Sequence, residues 1–160
     1  MTLIASEPVR DDHEIPPIPL AVGLAGLAPF IGLALTVALA GGETGASASV
    51  ALLAYAALIL SFFGGAHWGL ALRHPARELR AGLYLGAAIS PAWALAGVLL
   101  GGAGGLGLVA AGLVAQGAVD GLKSTRFAAP RWYPRLRALL AALASVATAA
   151  AAVVVASQQV

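Results

Sequence analysis

Five stretches of this chain, near residues 19–40, 48–71, 81–100, 103–122 and 138–157, are almost free of charged side chains. Each is about as long as the roughly 20 residues an α-helix needs to cross hydrocarbon. One oversized soluble core does not explain them, because buried helices of water-soluble domains are shorter. Composition agrees: 60% of the 160 residues are hydrophobic and 10% charged, where a soluble domain carries about a quarter charged. The sequence therefore predicts an all-α membrane protein. It reads as a compact bundle of five transmembrane helices forming one domain over residues 19–160, behind a polar N-terminal tail at 1–18.

Charge placement sets the expected topology. The nine basic residues are Arg10 in the tail, Arg73, Arg77 and Arg80 after the second span, and Lys123, Arg126, Arg131, Arg135 and Arg137 after the fourth. With five spans all three groups fall on one side, so the positive-inside rule predicts a cytoplasmic N-terminus and a periplasmic C-terminus. The opening "MTLIASEPVRDDHEIPPIP" lacks a basic n-region and a continuous apolar h-region, and is too acidic for a transit peptide. It is expected to be a tail of the mature chain. The few basic residues lie in loops, which excludes a nucleic-acid footprint, and the absence of cysteine excludes disulfides and thiolate chemistry.

Small residues at four-residue spacing, Gly82–Gly86, Gly97–Gly101–Gly105 and Gly117–Gly121, predict close helix contacts. Pro29 and Pro91 lie about ten residues into the first and third spans, where each removes a backbone donor and frees a carbonyl one turn earlier. Kinked, packed helices are the structural expectation. A mid-bilayer site with Ser90 and Trp93 is the functional one.

Groups able to carry charge within the spans are His67 and Asp120, and such residues are functional candidates by default. His67 follows Gly64 and Gly65 and precedes Trp68, six residues from Arg73, or roughly 9 Å along a helix. It is expected near the inner interface, pointing into the bundle. Gln116 and Asp120 lie four apart and form a polar stripe. A boundary carboxylate among cations readily finds a partner, so Asp120 is expected to pair with Lys123, Arg126 or Arg73 at the surface. The alternative is that the stripe meets His67, an inner arginine, or both. Arg73, Arg126, Trp132, Tyr133 and Arg135 are expected to anchor the bundle at the inner interface. His67 and His74 are two turns apart, too far for one metal ion, and no metal site is predicted.

"YAALILSFFGGAHWGLAL" (Tyr55 to Leu72) resembles the signature of a bacterial and mitochondrial family of unknown function typified by transmembrane protein 69. Ser61, Phe62, Gly64, Gly65, His67, Trp68 and Gly69 fit in order, and Ala56 departs from an expected glycine. "PLAVGLAGLAPFIGLAL", the Gln116–Asp120 region and "RWYPRLR" are similar as well. The resemblance implies a small multi-pass protein of the bacterial inner membrane and brings no activity or cofactor.

No nucleophile paired with a base is visible. The expected function is non-catalytic: binding a hydrophobic partner, or assisting a membrane energy-transducing complex. Beyond the lipid bilayer, the candidate partners are a respiratory or other membrane complex, a quinone or a lipid. The alternative is a small transporter or proton conductor using His67 and Asp120, since imidazole exchanges protons near neutral pH.

Overall fold

The structure, a computed structural model, describes residues 14–122 and 129–158. All regular structure among them is helical: α1 (Pro17–Ala40), α2 (Gly42–Arg73), α3 (Arg77–Leu100), α4 (Gly102–Asp120) and α5 (Tyr133–Ser157). Each is long and apolar enough to cross a membrane. Large aliphatic side chains such as Val22, Leu58, Leu99 and Val146 stay exposed around the outside. The chain is therefore a multi-pass membrane protein whose outward coat suits lipid.

The helices run further than the uncharged segments suggested, so three connections are shorter than expected. Gly41–Ser47, expected as a loop, shrinks to Gly41, because Glu43 and the small residues after it continue the helix. A carboxylate in a first turn suits the positive end of the helix dipole. The same logic, with Glu78, draws the Leu72–Arg80 loop in to residues 74–76, and Pro134 is accommodated in the first turn of α5. Two turns are made by glycine pairs. Gly41 and Gly42 take φ of 60° and 50°, and Gly101 and Gly102 take 66° and 51°. A residue with a Cβ would be strained there by roughly 1–2 kcal/mol.

Helix α2 packs against all four other helices, which follow around it in the order α1, α5, α4, α3. Tyr55 ties α2 to α1 by donating its hydroxyl to the Gly26 carbonyl at 2.9 Å and setting its ring edge-on to Phe30. Close approach depends on missing side chains. A Cβ at Gly64 would fall inside the Ser90 side chain on α3, and one at Gly97 or Gly105 would strike the other helix at the α3–α4 crossing. Gly117 sits against Ala141 of α5. Gly82 meets open space and Gly101 serves the turn, so the four-residue spacing overstates the contacts at those two positions.

Alternating helix directions bring the end of α2, the start of α3, the end of α4 and the start of α5 to one end of the bundle. That end carries Arg73, Arg77, Arg80, Arg131, Arg135 and Arg137.

Candidate functional site: a buried polar chain beside an intramembrane cleft

The last three turns of α2 separate into two faces. Phe63, Gly64, His67 and Ala71 are buried; Phe62, Gly65, Trp68 and Gly69 are exposed. This division follows from the helical repeat, since residues three and four apart share a face. On α4 the same spacing buries Gln116 and Asp120, and on α5 it buries Arg137 with Leu140, Ala141 and Ala144.

These faces meet around Asp120, whose side chain has no exposure at all. One carboxylate oxygen accepts from His67 Nε2 at 2.7 Å and the other from Arg137 Nε at 2.7 Å. The Arg137 Nη2 donates to the Phe63 carbonyl at 2.8 Å, and the guanidinium carbon stands 3.8 Å from the Phe63 ring centroid. Such a cation over an aromatic face is attracted by the ring quadrupole. Arg137 is thus held by a carboxylate, a carbonyl and a ring while remaining almost wholly buried. The formal charges of Asp120 and Arg137 cancel, which is what makes their burial tolerable in hydrocarbon.

The chain continues toward α3. Gln116 Nε2 lies 3.2 Å from His67 Nδ1 and 3.3 Å from His67 Nε2. Because a carboxylate only accepts, His67 Nε2 must carry the hydrogen that bonds Asp120. With a single hydrogen on the ring the lone pair falls on Nδ1, the nitrogen marginally nearer the Gln116 amide. Gln116 Oε1 accepts from Ser90 Oγ at 2.9 Å, and the same hydroxyl is 2.8 Å from the Gly86 carbonyl. The contacts run from Ser90, whose one hydroxyl hydrogen is shared between Gly86 and Gln116, through Gln116 and His67 to Asp120, and Arg137 closes the series. The carboxylate–imidazole contact fixes the tautomer, as such contacts generally do.

Ser90 and Gln116 also form part of the wall of a cleft of about 150 Å³ between α3 and α4. Leu60 and Gly112 line its depth; Ile89, Trp93 and Ala115 are exposed at its mouth, on the outward coat of the bundle. Trp93 is braced across it by donating its indole N–H to the Leu108 carbonyl at 2.7 Å. Two further hollows, one of about 220 Å³ among α1, α2 and α5 and one of about 490 Å³ between α4 and α5, do not touch this chain of polar groups.

The residues singled out from sequence divide cleanly. His67, Gln116 and Asp120 meet, and Gly64 makes the α2–α3 approach beside them. Gly65 faces open space, and Trp68 is exposed with its ring edge-on to Tyr84, 4.9 Å between centroids. Asp120 does not pair with Arg73 at the surface: Arg73 is exposed, whereas Asp120 is sealed between α2 and α5. Lys123 and Arg126 lie outside the described residues. Trp132 and Tyr133 are half-buried at the start of α5 and Arg135 is exposed. The stripe thus meets both His67 and an inner arginine, and Arg137 is the arginine that sequence reasoning left unidentified. Its signal was phase, since it stands three, seven and eleven residues before Leu140, Ala144 and Thr148 on the face that α5 buries, while Arg135 does not.

The chain belongs to the family described as "Protein of unknown function (DUF3429)", which matches residues 15–153. No curated protein and no solved structure matches it.

Proposed function

We propose that this member of a family without an assigned activity binds a lipophilic small molecule in the α3–α4 cleft. The observation that carries this reading is the position of Ser90 and Gln116. They end a buried polar chain, and they do so at a wall reached from the lipid-facing surface. A cavity of this size takes about one six-membered ring, so an apolar tail would remain in the bilayer. Pockets of this type are mostly apolar with a few placed polar groups. Binding without catalysis suits a protein that stabilises or assembles a membrane energy-transducing complex, a respiratory complex being the first to test. The positive-inside rule supports a bacterial inner-membrane setting with the N-terminus cytoplasmic and the C-terminus periplasmic. The segment from Tyr55 to Leu72 supports kinship with transmembrane protein 69.

The test is native mass spectrometry of protein extracted with its surrounding lipid, comparing wild type with Ala115→Phe. Ala115 is exposed at the mouth, so a phenyl ring there fills the cleft without entering the helix contacts. A bound small molecule present in wild type and absent in the variant supports the proposal. An equal bound complement in both counts against it. Deletion that leaves respiratory complexes unchanged removes the assembly role.

A second reading, proton conduction, is favoured by the unbroken run of hydrogen-bonding contacts from Ser90 to Asp120. Proton flux in liposomes that is unchanged by His67→Ala and Asp120→Asn would dispose of it.

A further inference from the structure

We propose that the cleft is selective for an uncharged ring bearing a carbonyl, recognised by the second amide N–H of Gln116; this rests on the ligand-binding reading above. Gln116 has four hydrogen-bonding capacities to place. Its oxygen accepts from Ser90, and one N–H is given to His67 Nδ1. The amide is planar, so its other N–H cannot turn to that same lone pair, and His67 Nε2 is itself a donor toward Asp120. Apart from the His67 ring, Gln116 Nε2 has no acceptor within hydrogen-bond distance among the described residues, although Gln116 is almost fully buried and forms part of the cleft wall. A buried donor without an acceptor is costly, and the cleft is the space from which an acceptor could come.

The rest of the wall fixes the chemical class. Leu60, Gly86, Ile89, Trp93, Ala115 and Val119 offer no charge, and the one ion pair nearby is already internally balanced. A carboxylate or ammonium entering here would be stripped of water with no counter-ion. Ser90 Oγ–H is taken up by Gly86 and Gln116, so the wall has a donor to spare and no hydroxyl free to match it. An acceptor satisfies this arrangement, and a ring of about 150 Å³ is what the space holds. A substituted para-quinone meets all three conditions, as does any lipophilic cyclic ketone of that size.

The experiment uses the full chain in lipid nanodiscs, with decyl-substituted para-benzoquinone and decylbenzene as probes, partitioned against empty nanodiscs. The quinone is expected to bind wild type roughly three- to tenfold more tightly than decylbenzene, the span of one neutral hydrogen bond. Gln116→Met is expected to erase that preference while leaving decylbenzene binding intact. Ala115→Phe should abolish both. Should Gln116→Met fail to fold, the infrared carbonyl band of quinone bound to wild type decides: a shift to lower frequency supports the proposal, an unshifted band overturns it. Equal binding of the two probes to wild type, lost in Ala115→Phe, overturns the carbonyl inference and leaves the cleft reading standing. Binding of neither probe, with no effect of Ala115→Phe on the native bound complement, overturns both.

Discussion

Replacing Arg137 by methionine removes the cation but leaves Asp120 where it is, with no exposure and one remaining partner, His67 Nε2 at 2.7 Å. Breaking a buried ion pair by deleting one member typically costs about 3–5 kcal/mol, because the other charge stays buried without compensation. Two features set the expectation at the lower end, about 3 kcal/mol: the His67 contact to Asp120 remains, and the denatured state of a helical membrane protein keeps some interhelical partners. The contact of the guanidinium with the Phe63 ring and carbonyl is also lost, which keeps the cost from falling further. The informative comparison is the double variant Asp120→Leu with Arg137→Met. It removes both charges and leaves one imidazole N–H without its acceptor, worth about 1–3 kcal/mol. The double variant should therefore be no less stable than Arg137→Met alone, with a coupling of at least about 2 kcal/mol between the two sites. Equilibrium unfolding in mixed micelles, followed by circular dichroism, measures all four corners of this cycle. Additive losses, or a cost below about 1 kcal/mol for Arg137→Met, would refute the picture of a mutually compensating buried pair.

Other outcomes follow from individual contacts. Gly64→Ala places its Cβ within Ser90 and should destabilise the α2–α3 contact by about 1–3 kcal/mol, the usual range for overpacking; Ser90→Gly in the same chain should restore part of it. Gly65→Ala, one residue on but facing open space, should change stability by no more than about 0.5 kcal/mol in the same unfolding assay. Nitrogen-15 NMR of ring-labelled histidine should show His67 Nε2 carrying the hydrogen that bonds Asp120; a lone pair on Nε2 would contradict that contact. Gly42→Ala should lower the melting temperature through its φ of 50°, an effect that Gly107→Ala, within α4 and in open space, should not share.

The number of helices was legible because an uncharged run of about 20 residues has few other fates than a membrane span. Their ends were less so. Residues 42–47 and 77–80 are polar enough to leave the apolar segments yet compatible with helix, and hydropathy is silent about that distinction. His67, Gln116 and Asp120 could be picked out one at a time as polar groups within apolar spans. Their meeting could be raised only as an alternative to surface pairing, because deciding it needs the rotation of α2 and α4 about their own axes. Arg137 shows the limit most clearly. A basic residue beside a loop reads as an interfacial anchor, and only the phase of the alanines that follow it reveals that it turns inward. The cleft was legible in part: Ser90 and Trp93, read beside Pro91 as lining a mid-bilayer site, both line it, whereas its depth comes from Gly86 and Gly112, which hydropathy does not single out.

The segment from Ser61 to Gly69 gains its meaning from the division of α2 into two faces. Gly64 removes the side chain that would hold α3 away, and that approach is what brings Gly86 and Ser90 to the imidazole: a Cβ on Gly86 would stand 3.1 Å from His67 Nδ1. His67, one turn beyond, takes its place in the space so created and carries the contact across to α4, and through Asp120 to α5. Glycine and histidine are therefore one device. The first sets how near the helices come, and the second fills the gap with a group that must be hydrogen-bonded at both nitrogens. A larger residue at Gly64 would widen the α2–α3 spacing, pull Ser90 from Gln116, and leave the amide free to turn. Gly64→Val should consequently disturb the His67 ring nitrogen signals as well as stability, while an equally large residue at Gly65 should move neither.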